Sequence, residues 1–167
     1  MPPSRSQKRR LEQASAAGPA ETRCARVSSE ERDAISLGLL HVRETGTPRG
    51  RGLFAAQPLS EGVYLGDYTG EVLTHEQYLE RYPAEDARYV LAANTDYNID
   101  ASDPKTSSML RFLNHSAQPN CYYDVQRIRR QREKRVRFFT LRDVRAGEEL
   151  FFNYGEQYWL GRLECPV

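Results

Sequence analysis

Arg111-Phe112-Leu113-Asn114-His115-Ser116-Ala117-Gln118-Pro119-Asn120-Cys121 is the run on which the reading of this chain turns. Directly after the apolar pair Met109-Leu110, an arginine, two asparagines, a histidine, a serine and a glutamine crowd together. Pro119 cannot donate to a ladder, and Asn and Ser side chains favour local turns, so the run reads as a polar turn. Such a turn can present several donors and acceptors to a ligand. A bare loop explains part of it, and His115 alone reads equally well as a structural histidine.

Three other segments stand out around it. Arg49-Gly50-Arg51-Gly52-Leu53-Phe54 has closely spaced glycines that let a ligand approach the backbone. It is neither a Walker loop nor a dinucleotide-binding loop, because the lysine of the one and the last glycine of the other are missing. Tyr68-Thr69-Gly70-Glu71 places a glutamate among strand-forming residues, and Gly147-Glu148-Glu149-Leu150-Phe151-Phe152-Asn153-Tyr154-Gly155 ends a strand in aromatics. Taken singly, each has an ordinary explanation: a turn before a strand, a solvated strand position, an aromatic core strand.

From Leu37 onward, short β-branched and aromatic stretches alternate with Gly, Pro, Asn and Asp. Strands are expected at Leu39–Val42, Gly52–Ala56, Val63–Leu73, Tyr89–Ala93, Tyr97–Asp100, Tyr122–Gln126 and Val136–Leu141. Their brevity and punctuation predict a mainly β domain of small antiparallel sheets. Asn94-Thr95-Asp96 suits a hairpin turn. One helix is predicted after Thr74, which with Gln77 forms a capping box; Tyr78, Leu79 and Tyr82 give it an apolar face, and Pro83 stops it. An internal echo joins two corners: Phe54-x4-Leu59-x2-Gly62-x2-Leu65 has the spacing of Phe139-x4-Val144-x2-Gly147-x2-Leu150.

Composition narrows the function. A length of 167 residues suits a single domain with a real core. Twenty-four basic against 23 acidic residues exclude bulk attraction to nucleic acid or membrane, so any basic partner surface must be local. The longest apolar stretch, around Ile35 to Val42, is too short to span a bilayer, and Met1–Arg10 lacks the apolar core of a secretory signal. Three scattered cysteines (Cys24, Cys121, Cys165) fit a reducing compartment better than a disulfide framework, and no metal-ligand spacing is legible. Residues 1–33 lack hydrophobic periodicity and read as a disordered polar tail. Lys8-Arg9-Arg10 within it is a weak nuclear-import signal.

In chain order, with Ile99-Asp100-Ala101 between Glu71 and Arg111, the four segments resemble the SET-domain lysine methyltransferases. The resemblance runs from about Leu37 to Trp159 and is closest to the compact histone-modifying members. It implies a SET domain over 34–155, with a knot-like C-terminal crossing and one or two short helices, followed by a short segment, 156–167. It also implies that S-adenosylmethionine is the methyl donor. By similarity, Arg49, Gly50, Arg51 and Gly52 line the methionine end of that cofactor, Asn114 and His115 hold its adenine and ribose side, and Arg111 buttresses the turn. Tyr154 matches the family's active-site tyrosine, Tyr89 a second catalytic tyrosine of the lysine channel, and Tyr97 a neighbour of the cofactor. Phe152 matches a switch position, where Phe in place of Tyr implies di- or trimethylation. Glu71 is then structural.

Only Cys165 follows Tyr154, so the cysteine-rich zinc-binding tail of many relatives is not expected here. Cys121 is accordingly expected to be a small buried hydrophobe. Gln157–Leu163, with Tyr158 and Trp159, is expected to close the lysine channel, unless a partner or a second copy of the chain does so. Arg127–Arg137 holds seven basic residues and one acidic. It reads as a solvated hairpin or as a contact for nucleosomal DNA or an acidic histone patch. The 39 residues between Glu71 and Arg111 leave no room for a bulky insert, which favours a small exposed tail, such as a histone tail, as substrate. That substrate implies a nucleus, the chain's own or that of a host reached by a microbial effector. A non-histone substrate and a catalytically silent binding module are the rival readings; a silent binder has no need to keep Asn114, His115, Tyr89 and Tyr154 together.

Overall fold

The structure is a computed structural model that describes residues 32–83, 87–93, 97–127 and 134–159. In chain order the elements are β1 (Leu40–Glu44), β2 (Arg51–Ala55), β3 (Tyr64–Asp67), β4 (Glu71–Thr74), α1 (His75–Arg81), β5 (Val90–Ala92) and β6 (Tyr97–Asp100). A 3-10 turn (Met109–Phe112) follows, then β7 (Asn114–His115), β8 (Cys121–Arg127), β9 (Lys134–Thr140), β10 (Phe151–Phe152) and α2 (Glu156–Trp159). Three small antiparallel sheets result: β1-β2, β3-β9-β8 and β4-β6-β5. A fourth sheet among the described residues, β7 with β10, is parallel. The expected turn at Asn94–Asp96 lies outside the described residues.

The predicted strand Val63–Leu73 divides into β3 and β4. Gly70 explains the break, because a Cβ there would come within 2.3 Å of the Asp100 carbonyl oxygen. The chain must bend at that contact to bring β4 alongside β6. The helix forms as its capping box predicts: the Thr74 hydroxyl accepts from the Gln77 N–H, and Gln77 Oε1 accepts from the Thr74 N–H. No residue of α1 is buried, however, and Leu79 stays 48% exposed. Its apolar face borders an open cavity instead of the core.

The two echoed corners pair with each other. Leu59 and Val144 exchange main-chain hydrogen bonds at 2.9 and 2.8 Å. The Gly62 N–H reaches the Thr140 carbonyl at 3.0 Å, and the equivalent Gly147 N–H reaches the Ala55 carbonyl at 2.8 Å. Both glycines have φ +77°, a left-handed conformation that costs glycine little. A sequence repeat has thus become a local two-fold arrangement.

The core lies where the three sheets meet. Leu53, Leu65, Leu110, Leu113, Phe138 and Leu150 are almost fully buried there. Each such side chain contributes about 1.5–3 kcal/mol by leaving water. Leu110 and Leu113 flank the start of the polar turn, and Leu150 precedes β10. The core therefore anchors both strands of the parallel pair.

Candidate active site

The polar turn and the aromatic strand end are interlaced. Asn114 and His115 run parallel to Phe151 and Phe152, and the loop then folds around β10, with the Ser116 N–H on the Phe152 carbonyl and the Asn120 N–H on the Phe151 carbonyl. Asn120, 2% exposed, pins the crossing. Its amide donates to the Glu149 carbonyl at 2.8 Å and accepts from the Phe151 N–H at 2.7 Å. Buried polar groups are tolerated when satisfied in this way. Beside it Cys121 is buried as expected, and burial pushes its thiol up to about 12.

Downstream of the crossing, the Tyr154 N–H donates to His115 Nδ1 at 3.1 Å and the Tyr154 hydroxyl donates to the Leu113 carbonyl at 2.7 Å. A nitrogen that accepts cannot carry a proton, so His115 is neutral, with its hydrogen on Nε2. Burial pushes its pKa down, in agreement with that tautomer. The same tyrosine packs edge-on against His115 and Tyr158, and its ring lies tilted by 43° against that of Phe152.

On one side of Tyr154 opens a cavity of ≈ 640 Å³. Its inner wall includes Tyr68, Leu113, Tyr123, Phe152, Tyr154 and Tyr158, and α1 contributes His75, Tyr78 and Leu79 to its rim. A second cavity, ≈ 690 Å³, lies between the echoed corners and is lined by residues such as Leu59, Arg142 and Glu148. It has no aromatic wall, and neither Asn114, His115 nor Tyr154 lines it, so the tyrosine-lined cavity is the candidate site.

Tyr68 is the residue that sequence reasoning passed over. Its side chain is buried, its hydroxyl donates to the Tyr89 carbonyl at 3.0 Å, and burial raises its pKa well above that of an ordinary phenol. Tyr89 sits differently. Its neighbours Arg88 and Val90 line the cavity, while its own ring lies beneath the Arg111 guanidinium at 4.3 Å and edge-on to Phe112. Tyr97 opens β6 opposite Thr74 with its hydroxyl buried. Arg111 holds the loop beneath it by donating to the carbonyls of Ala101 and Ser102 and to the Ser107 hydroxyl.

The glycine-rich segment closes the β1–β2 turn and lies along the other side of the crossing. Arg51 stands over the Phe112 ring and Arg49 over that of Phe151. The Asn114 amide donates to the Arg51 carbonyl at 3.2 Å and to Glu149 Oε1 at 2.8 Å. Gly50 has φ +73° and nothing within 4 Å of where a Cβ would stand. Glu71 is remote from all of this. It pairs with Arg81 of α1 through two hydrogen bonds and faces Asp100 across the sheet.

A backbone crossing beside a tyrosine-walled cavity, with a glycine-rich edge behind it, defines a two-sided site built from chain segments far apart in sequence. The chain belongs to the SET domain family, which it matches over residues 50–155. It is 40% identical over 108 residues to the histone-lysine N-methyltransferase MEDEA of Arabidopsis thaliana, an alignment covering 63% of this chain and 15% of that protein. With the histone-lysine N-methyltransferase CLF of the same plant it shares 32% identity over 154 residues, 87% of this chain and 16% of the relative. Among solved structures it is similar to the Chaetomium thermophilum polycomb repressive complex 2 (TM-score 0.61, 28% identity, 70% of this chain and 15% of that one). It is also similar to an autoinhibited ctPRC2 bound to S-adenosylmethionine (TM-score 0.62, 28% identity, 74% and 16%). The chain thus spans only 11–16% of the length of the relatives it matches.

Proposed function

We propose that this chain transfers a methyl group from S-adenosylmethionine to a lysine side chain of a protein, with a histone tail as the substrate. One observation carries the reading: Tyr154 joins the two sides of the site, its N–H on His115 and its hydroxyl on the wall of the aromatic cavity. A donor on one side and an acceptor on the other would meet at that residue.

The residues present fit such a donor. Gly50 leaves the edge open, Arg49 and Arg51 offer guanidinium groups for a carboxylate, and Asn114 with neutral His115 offers amide and imidazole partners for a nucleoside. S-adenosylmethionine supplies an electrophilic methyl on a sulfonium centre. Everything else falls to the chain. Methyl transfer is an in-line displacement, so positioning supplies much of the acceleration, about 7–11 kcal/mol in favourable cases.

The acceptor amine must be neutral, whereas an unperturbed lysine titrates near 10.4. The apolar walls of Phe152, Leu113 and Tyr123 favour the neutral form by limiting solvation, and a neighbouring cation adds to that. Tyr68 and Tyr154 have both committed their O–H groups to main-chain carbonyls, which leaves their oxygen lone pairs as acceptors for the amine N–H. Tyr68 is held protonated by burial, so it orients the amine and does not act as the base. The departing proton leaves to water through the cavity mouth. Phe152 presents a ring without a hydroxyl and leaves room for di- and trimethylated products.

The finer partner assignments belong to the same proposal. Of the basic stretch Arg127–Arg137, Arg135 pairs with Asp67 and Arg137 stacks on Tyr64 and Phe139, so these two serve the sheet. Residues 128–133 lie outside the described residues, and Arg129, Arg130 and Arg132 are assigned to nucleosomal DNA. Tyr158 of α2 reaches the channel wall and supports closure of the channel by the C-terminal segment; closure by a partner or a second copy is the alternative. Action on histones implies the nucleus, whether the chain's own or a host's.

The test is incubation with radiolabelled donor and separated core histones, alongside Tyr154→Phe. Label on one histone that falls roughly a hundredfold in the variant is the expected result, since small misplacements at such sites cost about that much. Label on none of the histones, or equal label with both proteins, contradicts the reading.

A further inference from the structure

We infer that Glu149 is a positioning residue that sets which end of the Asn114 amide the methyl donor meets. This rests on the methyl-transfer reading and concerns the donor side of the site. Asparagine can turn either its oxygen or its NH2 group toward a ligand, and its neighbours decide which. Here the neighbours are the Glu149 carboxylate, 2.8 Å from Nδ2, and the Arg51 carbonyl, 3.2 Å from the same atom. Both accept and neither donates, so the NH2 end must face them. The amide oxygen is therefore turned to the other side as an acceptor.

The approach of that carboxylate is built into two separate segments. A Cβ at position 52 would lie 2.4 Å from Glu149 Oε1 and 3.0 Å from its Cδ, so a glycine there is what admits the carboxylate to Asn114. The backbone holds Glu149 in place: it bridges to Phe54, and the Leu150 N–H donates to the Leu53 carbonyl at 2.8 Å. Gly52 thus serves the site through its missing side chain, by making room for Glu149.

The ligand group that meets Asn114 must then be a donor. An ammonium or a ribose hydroxyl qualifies, and the proposed methyl donor carries both. A ligand offering a carboxylate at that point would be rejected.

Glu149→Gln and Glu149→Asp separate geometry from charge. Gln keeps the reach and an amide oxygen that can still accept from Asn114. Asp keeps the charge but is one methylene too short. Binding of S-adenosylhomocysteine by calorimetry, with melting curves to confirm folding, should weaken about tenfold or more in E149D and only about twofold to threefold in E149Q; losing a hydrogen bond to a charged group is of that size. The KM for the donor should follow the same order while the KM for a peptide stays within about twofold, a split that general loosening of the fold would not give. E149D binding as tightly as the wild type, or E149Q losing as much as E149D, overturns the inference. A wild-type chain that binds none of this ligand overturns the methyl-transfer reading and the role of Glu149 with it.

Discussion

The main-chain N–H of Tyr154 donates to Nδ1 of His115 at 3.1 Å. This contact ties the end of the aromatic strand to the middle of the polar turn, and it requires an unprotonated imidazole nitrogen. The protonation state of one histidine therefore governs how the two halves of the site meet.

Acid should loosen this junction before it unfolds the domain. The folded-state pKa of His115 lies below the ordinary value near 6.5, chiefly through burial. As pH falls, the unfolded chain takes up the proton first, so the stability tied to neutral His115 is present above about 6.5 and lost toward the lower folded value. His115→Asn keeps an acceptor without titrating. The melting-temperature difference between wild type and this variant should shift against the wild type between about pH 7 and pH 5. A flat difference curve would count against the assigned tautomer.

The ion-pair cluster at the foot of α1 should lose stability in the same direction, but at lower pH. Glu71 and Asp100 face each other across β4 and β6, and Arg81 bridges them. The hydrogen bond from Arg81 holds Glu71 below the usual carboxylate range. For Asp100, burial pushes upward, but hydrogen bonds from Ser102, Tyr82 and Arg81 outweigh it. Groups with lowered values stabilise the fold above their unfolded pKa, about 4, and lose that contribution as pH falls. Arg81→Met should thus lower the melting temperature at neutral pH, with a deficit that shrinks below about pH 4. A deficit that grows in acid would contradict the pairing.

The proposed role of Phe152 in setting the product can be tested directly. Its ring packs against Phe138, Tyr123 and Tyr154 and forms part of the cavity wall. Phe152→Tyr would add a hydroxyl able to hold water beside the amine. Mass spectrometry of a reacted peptide should show di- or trimethyl product for the wild type and a shift toward monomethyl for the variant. A wild type that stops at one methyl, even with excess donor, rejects the assignment.

Replacing Arg129, Arg130 and Arg132 with Glu should weaken activity on nucleosomes far more than on a peptide. The salt dependence of nucleosome activity should flatten as well, because fewer phosphate contacts release fewer counterions. Equal losses on both substrates would remove the DNA contact from the account.

Much of this was legible in the residues because the informative signals were local. The Thr74–Gln77 capping box, the echoed corners and the polar turn each act over a few positions, and each has its structural counterpart. Tyr68 escaped notice for a physical reason. Reading Val63–Leu73 as one strand hides the bend at Gly70, and once a strand bends, alternation no longer tells which side chain faces inward. The β7–β10 pairing leaves no period to read, with two residues per strand, and the crossing it forms was implied by resemblance alone. Tyr89 could be placed near the site by resemblance, but its ring orientation depends on Arg111 and Phe112, contacts that no spacing encodes. The apolar face of α1 is legible from its residues, but periodicity cannot tell whether such a face meets a core or an open cavity.

If donor and acceptor meet at Tyr154 from opposite sides of one crossing, a crystal structure with S-adenosylhomocysteine should show the nucleoside against Asn114 and His115, the amino-acid end along Arg49–Gly52, and the sulfur aimed past the Tyr154 hydroxyl into the tyrosine-lined cavity. The ligand bound elsewhere, or its sulfur walled off from that cavity, would contradict it.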